Sequence, residues 1–284
     1  MKYAIISREA GSIPISRACE LLGVRRQGFY EQQNRSFMRA NQEKALRPII
    51  QNIFFESNRI YGSRKILAEL RTRGWRVSRK RVVSLMQKNG LVPVAFKRTV
   101  RTTVSDPRAT PFPNLLQQDF KVALPDKTWV TDFTYIPTDE GWLYLCAFID
   151  LFSRRVVGWA VRSTIDRNLA IEALQKAVAL RRPARGIIIH SDRGCQYTSS
   201  DFRNAVLNMG GIQSMSRPGV PYDNACAETF FKSIKTERLN RLHFHTREEA
   251  LRAVCSYMLF YNRFRTHQAL GYMTPVAFEE IYSA

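Results

Sequence analysis

The chain has 284 residues, 45% of them hydrophobic and 24% charged, ordinary proportions for a soluble fold and length enough for two domains with buried cores. Its charge is not ordinary: 44 Lys and Arg face 24 Asp and Glu, and residues 1–110 alone hold 23 basic against 7 acidic groups, a net +16, against +4 for the remainder. That asymmetry predicts a polyanion-binding N-terminal part, while five cysteines without zinc-like spacing exclude a disulfide framework and imply a reducing compartment. The longest apolar run, LYLCAFIDLF, is too short for a bilayer and is broken by Asp150. MKYAIISREAG lacks the apolar stretch of a signal peptide, so the expectation is a cytosolic protein with no membrane partner.

Residues 16–33 read as two short helices around a tight turn. Ser16 is placed as the first cap, Ala18, Leu21 and Leu22 as the apolar stripe, Gly23-Val24 as the break, and Arg25-Arg26 as the next start. This is a helix-turn-helix outline, which any small helical hairpin shares. Pro48 breaks helix interiors, so it is expected to open a helix that buries Ile49, Ile50, Ile53 and Phe54. YGSRKILAELRTRGWRVSRKRVVSLMQKNGL is the clearest helical pair. Ile66, Leu67 and Leu70 line the first helix and Gly74 stops it; Ser78 caps the second, Val82, Leu85 and Met86 line it, and Gly90 ends it. Arg79, Lys80 and Arg81 in that first turn oppose the helix dipole unless an anion compensates, and a DNA phosphate is such an anion. Residues 1–96 are thus expected to form an all-helical DNA-binding region. Residues 97–126, with prolines at 107, 111, 113 and 125, are expected to be a linker, and residues 127–284 the catalytic core with a helical tail.

The core opens with WVTDFTYI, in which Trp129, Thr131, Phe133 and Tyr135 share one strand face and Val130, Asp132, Thr134 and Ile136 the other. Asp139-Glu140-Gly141 turns into a second strand and Ser153-Arg154-Arg155 into a third. The helix NLAIEALQKAVAL follows, then the strand IIIH, a helix capped by Ser199 or Ser200 and ended by Gly210-Gly211, and a fifth strand IQSMS. The next helix is expected from Asp223 or Asn224, and Thr246-Arg247-Glu248-Glu249 forms a capping box for another. The tail YNRFRTHQALGYMTP reads as a loop with a packing role. The order is that of an α/β fold with a mixed sheet.

Two strand-borne aspartates, Asp132 and Asp192, and one helix-borne glutamate, Glu228, are the oxygen ligands that a pair of hard divalent cations needs to clamp a phosphodiester. Asp150 also ends an apolar strand, but SRR follows it as a turn would. Lys232 and Lys235 fall four and seven positions after Glu228, on its helix face, where an ammonium can hold a phosphate, while Phe231 and Ile234 point inward. His190 is read as a supporting or DNA-contacting group. His243 and His245 are read as surface residues without a partner carboxylate.

HSDRG–QYTS, RPG–PYDNA–AE–FF–S–KTE and YNRFRTHQALGYMTP resemble the second reading frame (orf B) of bacterial two-frame insertion-sequence transposases, relatives of retroviral integrases. The likeness covers nearly the whole chain; Cys195 stands where a small polar residue is more usual. The resemblance implies an RNase H-like core: a mixed five-stranded sheet with helices on both faces, preceded by an all-α helix-turn-helix region. It implies an Asp-Asp-Glu triad on Asp132, Asp192 and Glu228, a basic DNA contact on Lys235, and Mg²⁺ as cofactor, two ions with Mn²⁺ able to substitute. The implied activity is metal-dependent cleavage and strand transfer at insertion-sequence ends. The implied partners are DNA, further copies of the chain, and the upstream-frame protein as partner or frameshift fusion. The alternatives are a nuclease of the same fold that cuts without joining, and a non-catalytic DNA-binding repressor.

Overall fold

Apolar residues at helical spacing dominate the first third of the chain and β-branched runs the middle, and a computed structural model follows that division. It describes residues 2–94, 112–217 and 220–282. The chain divides into two units, Met1–Pro93 and Val94–Ala284.

In the first unit, α1 (Lys2–Glu9), α2 (Ile15–Leu21) and the start of α3 (Arg26–Glu56) enclose a small core of Ile6, Ala18, Cys19 and Phe29. Ser16 is not the cap of α2: Pro14 holds the N-cap position with no side-chain hydrogen bond, which leaves Ser16 inside the first turn. Leu21 is 64% exposed, so the stripe is carried by Ala18 and Cys19, with Leu22 packed against them as expected. Nor does a helix begin at Pro48, which lies inside the 31-residue α3. An interior proline costs about 3 kcal/mol. Leu46, Ile50, Ile53 and Phe54 are all buried on one stripe that runs through it, and each contributes about 1.5–3 kcal/mol, so packing outweighs the break. Those residues form a second core with α4 (Ser63–Thr72) and α5 (Arg79–Lys88) through Ile66, Leu67, Leu70, Val82, Leu85 and Met86. Gly74 ends α4 at φ 82° and Gly90 follows α5 at φ 64°, a backbone region open to glycine. Ser78 Oγ accepts from Arg81 N at 3.3 Å and caps α5.

The second unit is built on a five-stranded sheet in the order β3-β2-β1-β4-β5. β1 (Thr128–Thr138), β2 (Gly141–Asp150) and β3 (Val156–Arg162) form an antiparallel meander, and β4 (Ile188–Ser191) and β5 (Ile212–Met215) add on in parallel. Alternation along β1 sends Trp129 and Phe133 to one face, against α6 (Arg167–Arg181), α7 (Cys195–Thr198) and α8 (Ser200–Asn208). Val130 and Ile136 go to the other, against α9 (Ala225–Glu237) and α10 (Arg247–Arg263). The result is the RNase H-like arrangement, with helices on both faces of a mixed sheet. Gly158 of β3 permits the close approach of α6: a Cβ there would meet Ala173 O and Ala177 N at 2.6 and 2.5 Å.

Three local features depart from the sequence reading. The helix bearing Glu228 starts at Ala225, after a 3₁₀ turn Pro221–Asn224, one or two residues later than the caps suggested. The stretch YNRFRTHQALGYMTP is not all loop, because α10 runs into it as far as Arg263, Gln268–Leu270 forms a 3₁₀ turn, and α11 (Pro275–Tyr282) begins at its last residue. Of residues 97–126, the segment 97–111 lies outside the described residues, and 112–126 packs on the second unit. Leu116 is buried in its core, Leu115 N donates to Ser214 Oγ at 2.9 Å, and Asp126 N donates to Asp150 Oδ2 at 2.8 Å.

Candidate active site and nucleic-acid surface

The parallel pairing of β1 with β4 aligns Thr128 with Ile188, Trp129 with Ile189 and Val130 with His190. Beyond the last of these pairs, two residues on along each chain, stand Asp132, in the middle of β1, and Asp192, near enough for the charge of one to act on the other. Asp192 sits just past the last residue of β4, where Gly194 N donates to its Oδ1 at 3.0 Å. Phe133 N donates to Asp132 Oδ1 at 2.7 Å. Asn224, buried at the N-cap of α9, donates from Nδ2 to Thr131 O at 3.0 Å, which fixes the start of that helix beside the strand carrying Asp132. Glu228 lies in the first turn that follows, exposed to solvent.

The carboxylates register one another electrostatically. Burial, and then the charges of Asp192 and Glu228, push Asp132 up to about 8, against the opposing pull of Phe133 N–H and Lys235. Burial likewise raises Asp192, against the hydrogen bond from Gly194. Lys235 is half-buried on α9 with its ammonium 4.2 Å from the ring centre of Tyr135, whose own ring meets Trp142 edge-on at 5.2 Å. Burial lowers the Lys235 pKa while the charge of Asp132 opposes that shift, so the ammonium is within electrostatic reach of Asp132. Lys232, one turn earlier, is exposed.

His190 is not a DNA contact. It is fully buried, with Nδ1 2.8 Å from Ser214 Oγ and Nε2 3.2 Å from Ser216 Oγ, both on or beside β5. Burial lowers its pKa to about 4, against the pull of Asp223, so it stays neutral and ties β4 to β5. Tyr197 of the QYTS motif lies behind the site, its hydroxyl 3.0 Å from Thr131 Oγ1. Asp150 is structural, accepting from the backbone N–H groups of Asp126 and Ser153 at 2.8 and 2.9 Å.

Sequence reasoning missed the residues that set the angle of α9. Asp223, fully buried, accepts from Asn114 Nδ2, Gln118 Nε2 and Arg217 N at 2.8, 3.0 and 2.8 Å. At the other end of α9, Glu237 accepts from Arg265 Nη2 at 2.7 Å and from Tyr257 OH at 2.7 Å, in a buried cluster. The PYDNA and NRFRTH stretches contained Asp223 and Arg265, but no periodicity marks an acid whose partners lie in distant segments. His243 and His245 also need correcting: they are exposed, as read, but both meet a carboxylate, Asp139, at 3.0 and 2.7 Å.

In the first unit Arg79 and Lys80 are exposed at the start of α5, and Arg81 is partly engaged, pairing with Glu43 at 3.0 Å and donating to Arg39 O at 2.9 Å. A cleft of about 440 Å³ there is lined by Arg39, Arg76, Ser78, Lys80 and Arg81 among others. A cationic cleft at a helix N-terminus fits a phosphate backbone.

The sheet order, with Asp132 in mid-β1, Asp192 just past β4 and Glu228 on α9, defines an integrase-type core. The integrase core domain family matches residues 123–221, a second integrase core family matches 210–275, and an HTH-like domain family matches 41–99. The last covers the α4–α5 pair and not the 16–33 outline. Transposase InsF for insertion sequence IS3A of Escherichia coli is 35% identical over 98% of both chains. The transposase for insertion sequence element IS904 of Lactococcus lactis is 39% identical over 82% of this chain and 93% of that one. The HTLV-2 integrase catalytic core domain in complex with magnesium aligns at 18% identity with a TM-score of 0.42, over 54% of this chain and 94% of that one. The chain belongs to the family of bacterial insertion-sequence transposases represented by the first two.

Proposed function

We propose that Asp132, Asp192 and Glu228 form the catalytic site with which this transposase cleaves and joins DNA at the ends of its insertion sequence. The observation that carries the reading is the parallel pairing of β1 with β4, beyond whose last pair Asp132 and Asp192 follow at the same two-residue offset, next to the anchored start of α9. The donor set fits a divalent cation. It is all carboxylate oxygen, the choice of Mg²⁺ and Mn²⁺, and a cation between the groups offsets the burial and the mutual repulsion that raise Asp132. Two Mg²⁺ ions bound there supply Lewis acidity toward the phosphodiester and its reacting oxygens, with Mn²⁺ as a substitute. The residues do the positioning. The three carboxylates fix the geometry, and neutral His190 holds the two parallel strands in register. Lys235, with Lys232 beside it, places positive charge where the flanking phosphate of the donor end lies.

The same site serves twice: water first hydrolyses a phosphodiester and frees a 3′-hydroxyl, and that hydroxyl oxygen then attacks a second phosphodiester, forming a new P–O bond as the 3′-oxygen of the target strand leaves with a proton. Bond exchange conserves energy, and no covalent link between protein and DNA is required. Residues 1–96 bind DNA, through Arg79, Lys80 and the free side of Arg81. The chain acts as a homo-oligomer on DNA, with the upstream-frame protein as partner or fusion. Labelled insertion-sequence ends incubated with the protein and Mg²⁺ give joined strands on this reading. Nicks alone would indicate a nuclease without transfer, and bound, intact DNA a repressor; either overturns it.

A further inference from the structure

The tip of the β1–β2 hairpin carries Asp139, and the segment leading into α10 carries His243 and His245. Several bonds pin these two pieces together. Asp139 N donates to Phe244 O at 3.0 Å, and Arg247 N donates to Glu140 Oε2 at 2.8 Å. His245 N donates to Glu249 Oε2 at 2.8 Å, within the capping box that starts α10. Phe244, between the histidines, is buried in the core shared by α9, α10 and the sheet. Leu242 and Thr246 are extended on either side, and in extended chain the neighbours of an inward residue both face out. The backbone therefore delivers two imidazoles to one outer face, over the hairpin carboxylate.

They converge there. His243 Nε2 is 3.0 Å from Asp139 Oδ1 and His245 Nδ1 is 2.7 Å from Asp139 Oδ2, with the two rings edge to face at 4.9 Å. The ligand atoms of all three side chains lie within 4.8 Å of one another. Hydrogen bonding alone gives little reason for this gathering. The histidine side chains are 71% exposed and that of Asp139 is 50% exposed, and such surface pairs stabilise by about 0–1 kcal/mol.

We propose that Asp139, His243 and His245 bind a transition-metal ion of the Zn²⁺ class, separate from the catalytic site. Two imidazole nitrogens and one carboxylate form a common zinc donor set, with a fourth position left to water. Imidazole nitrogen suits Zn²⁺ and its neighbours, whereas Mg²⁺ prefers oxygen, so the two sites differ in chemistry. The ion ties the β1–β2 hairpin to the N-terminus of α10, and β1 is the strand that carries Asp132.

The test is calorimetric titration of the full-length chain with Zn²⁺ in excess Mg²⁺, alongside Asp192→Asn to remove binding at the catalytic carboxylates. The expected result is a saturable Zn²⁺ uptake that persists in Asp192→Asn and raises the thermal midpoint. The double variant His243→Gln, His245→Asn keeps amide groups in reach of Asp139 for hydrogen bonding but removes both imidazoles. It loses the uptake and the midpoint rise while melting like the parent in chelator. Asp139→Asn loses them too, which guards against a folding defect in the double variant. No uptake beyond that removed by Asp192→Asn, or an unchanged isotherm in the double variant and in Asp139→Asn, overturns the proposal.

Discussion

The two units handle charge in opposite ways. Among the described residues, the buried polar or charged group of the first unit is Ser57, and its arginines and lysines are exposed except for two half-buried ones, Lys65 over the Tyr61 ring and Arg81 against Glu43. The second unit buries Asp150, His190, Asp223, Glu237 and Glu279, each with hydrogen-bonded partners. Binding a phosphate backbone needs mobile surface cations whose effect scales with salt. Phosphodiester chemistry needs carboxylates held in fixed places, and fixed buried charge must be paired. The same residue types therefore answer to different physics in the two halves, and substitutions in each should fail differently.

The largest effect is expected at the buried pair behind α9. Arg265→Ala leaves Glu237 buried without its cation, a loss of about 3–5 kcal/mol. Denaturant unfolding should show that loss in the second unit, together with loss of strand joining, because α9 carries Glu228. A drop below 1 kcal/mol would mean the pair does not hold α9.

Next comes Asp223. Burial alone would raise its pKa, but hydrogen bonds and charge from Arg217, with Gln118, hold it at about 2 against an ordinary 3.8. A folded pKa below the unfolded one stabilises the protein above 3.8, and that contribution is lost as pH falls through about 2. Asp223→Asn should therefore lower stability at neutral pH and flatten the acid limb over that window. An acid limb identical to that of the parent would remove Asp223 from the network.

Smaller again is Ser78→Ala, which deletes the cap of α5 and should cost the first unit about 1 kcal/mol, leaving the second unit's melt unchanged. The smallest stability change belongs to Arg79→Gln and Lys80→Gln, within about 0.5 kcal/mol. Each should nonetheless reduce the slope of log K against log salt by about 0.9 for the phosphate contact removed. An unchanged slope would take both residues off the DNA surface.

Much of this was legible before any coordinates. Ser78, Gly74 and Gly90 mark α4 and α5 because caps and glycine stops act locally, and the alternation in WVTDFTYI separates the two faces of β1. The proposed triad rests in the sequence on its flanking motifs, since a single acid in a strand carries no chemistry by itself. What escaped had non-local causes. Pro48 is tolerated because a stripe of buried residues from Leu46 to Phe54 continues across it. Glu237 and Arg265 pair across 28 positions, and Asp139 meets two histidines more than 100 positions away. His190 had the right neighbours in sequence but the wrong exposure, which only the pairing of β4 with β5 reveals.

The central claim is that Asp132, Asp192 and Glu228 perform the chemistry while a separate cationic surface binds DNA. It is tested most directly with Asp192→Asn in the full chain, following both binding and joining of labelled insertion-sequence ends in Mg²⁺. The account predicts that binding is kept or slightly tightened, since a negative charge near phosphate is removed, while nicking and joining disappear. Joined product at the parent rate in Asp192→Asn would contradict it.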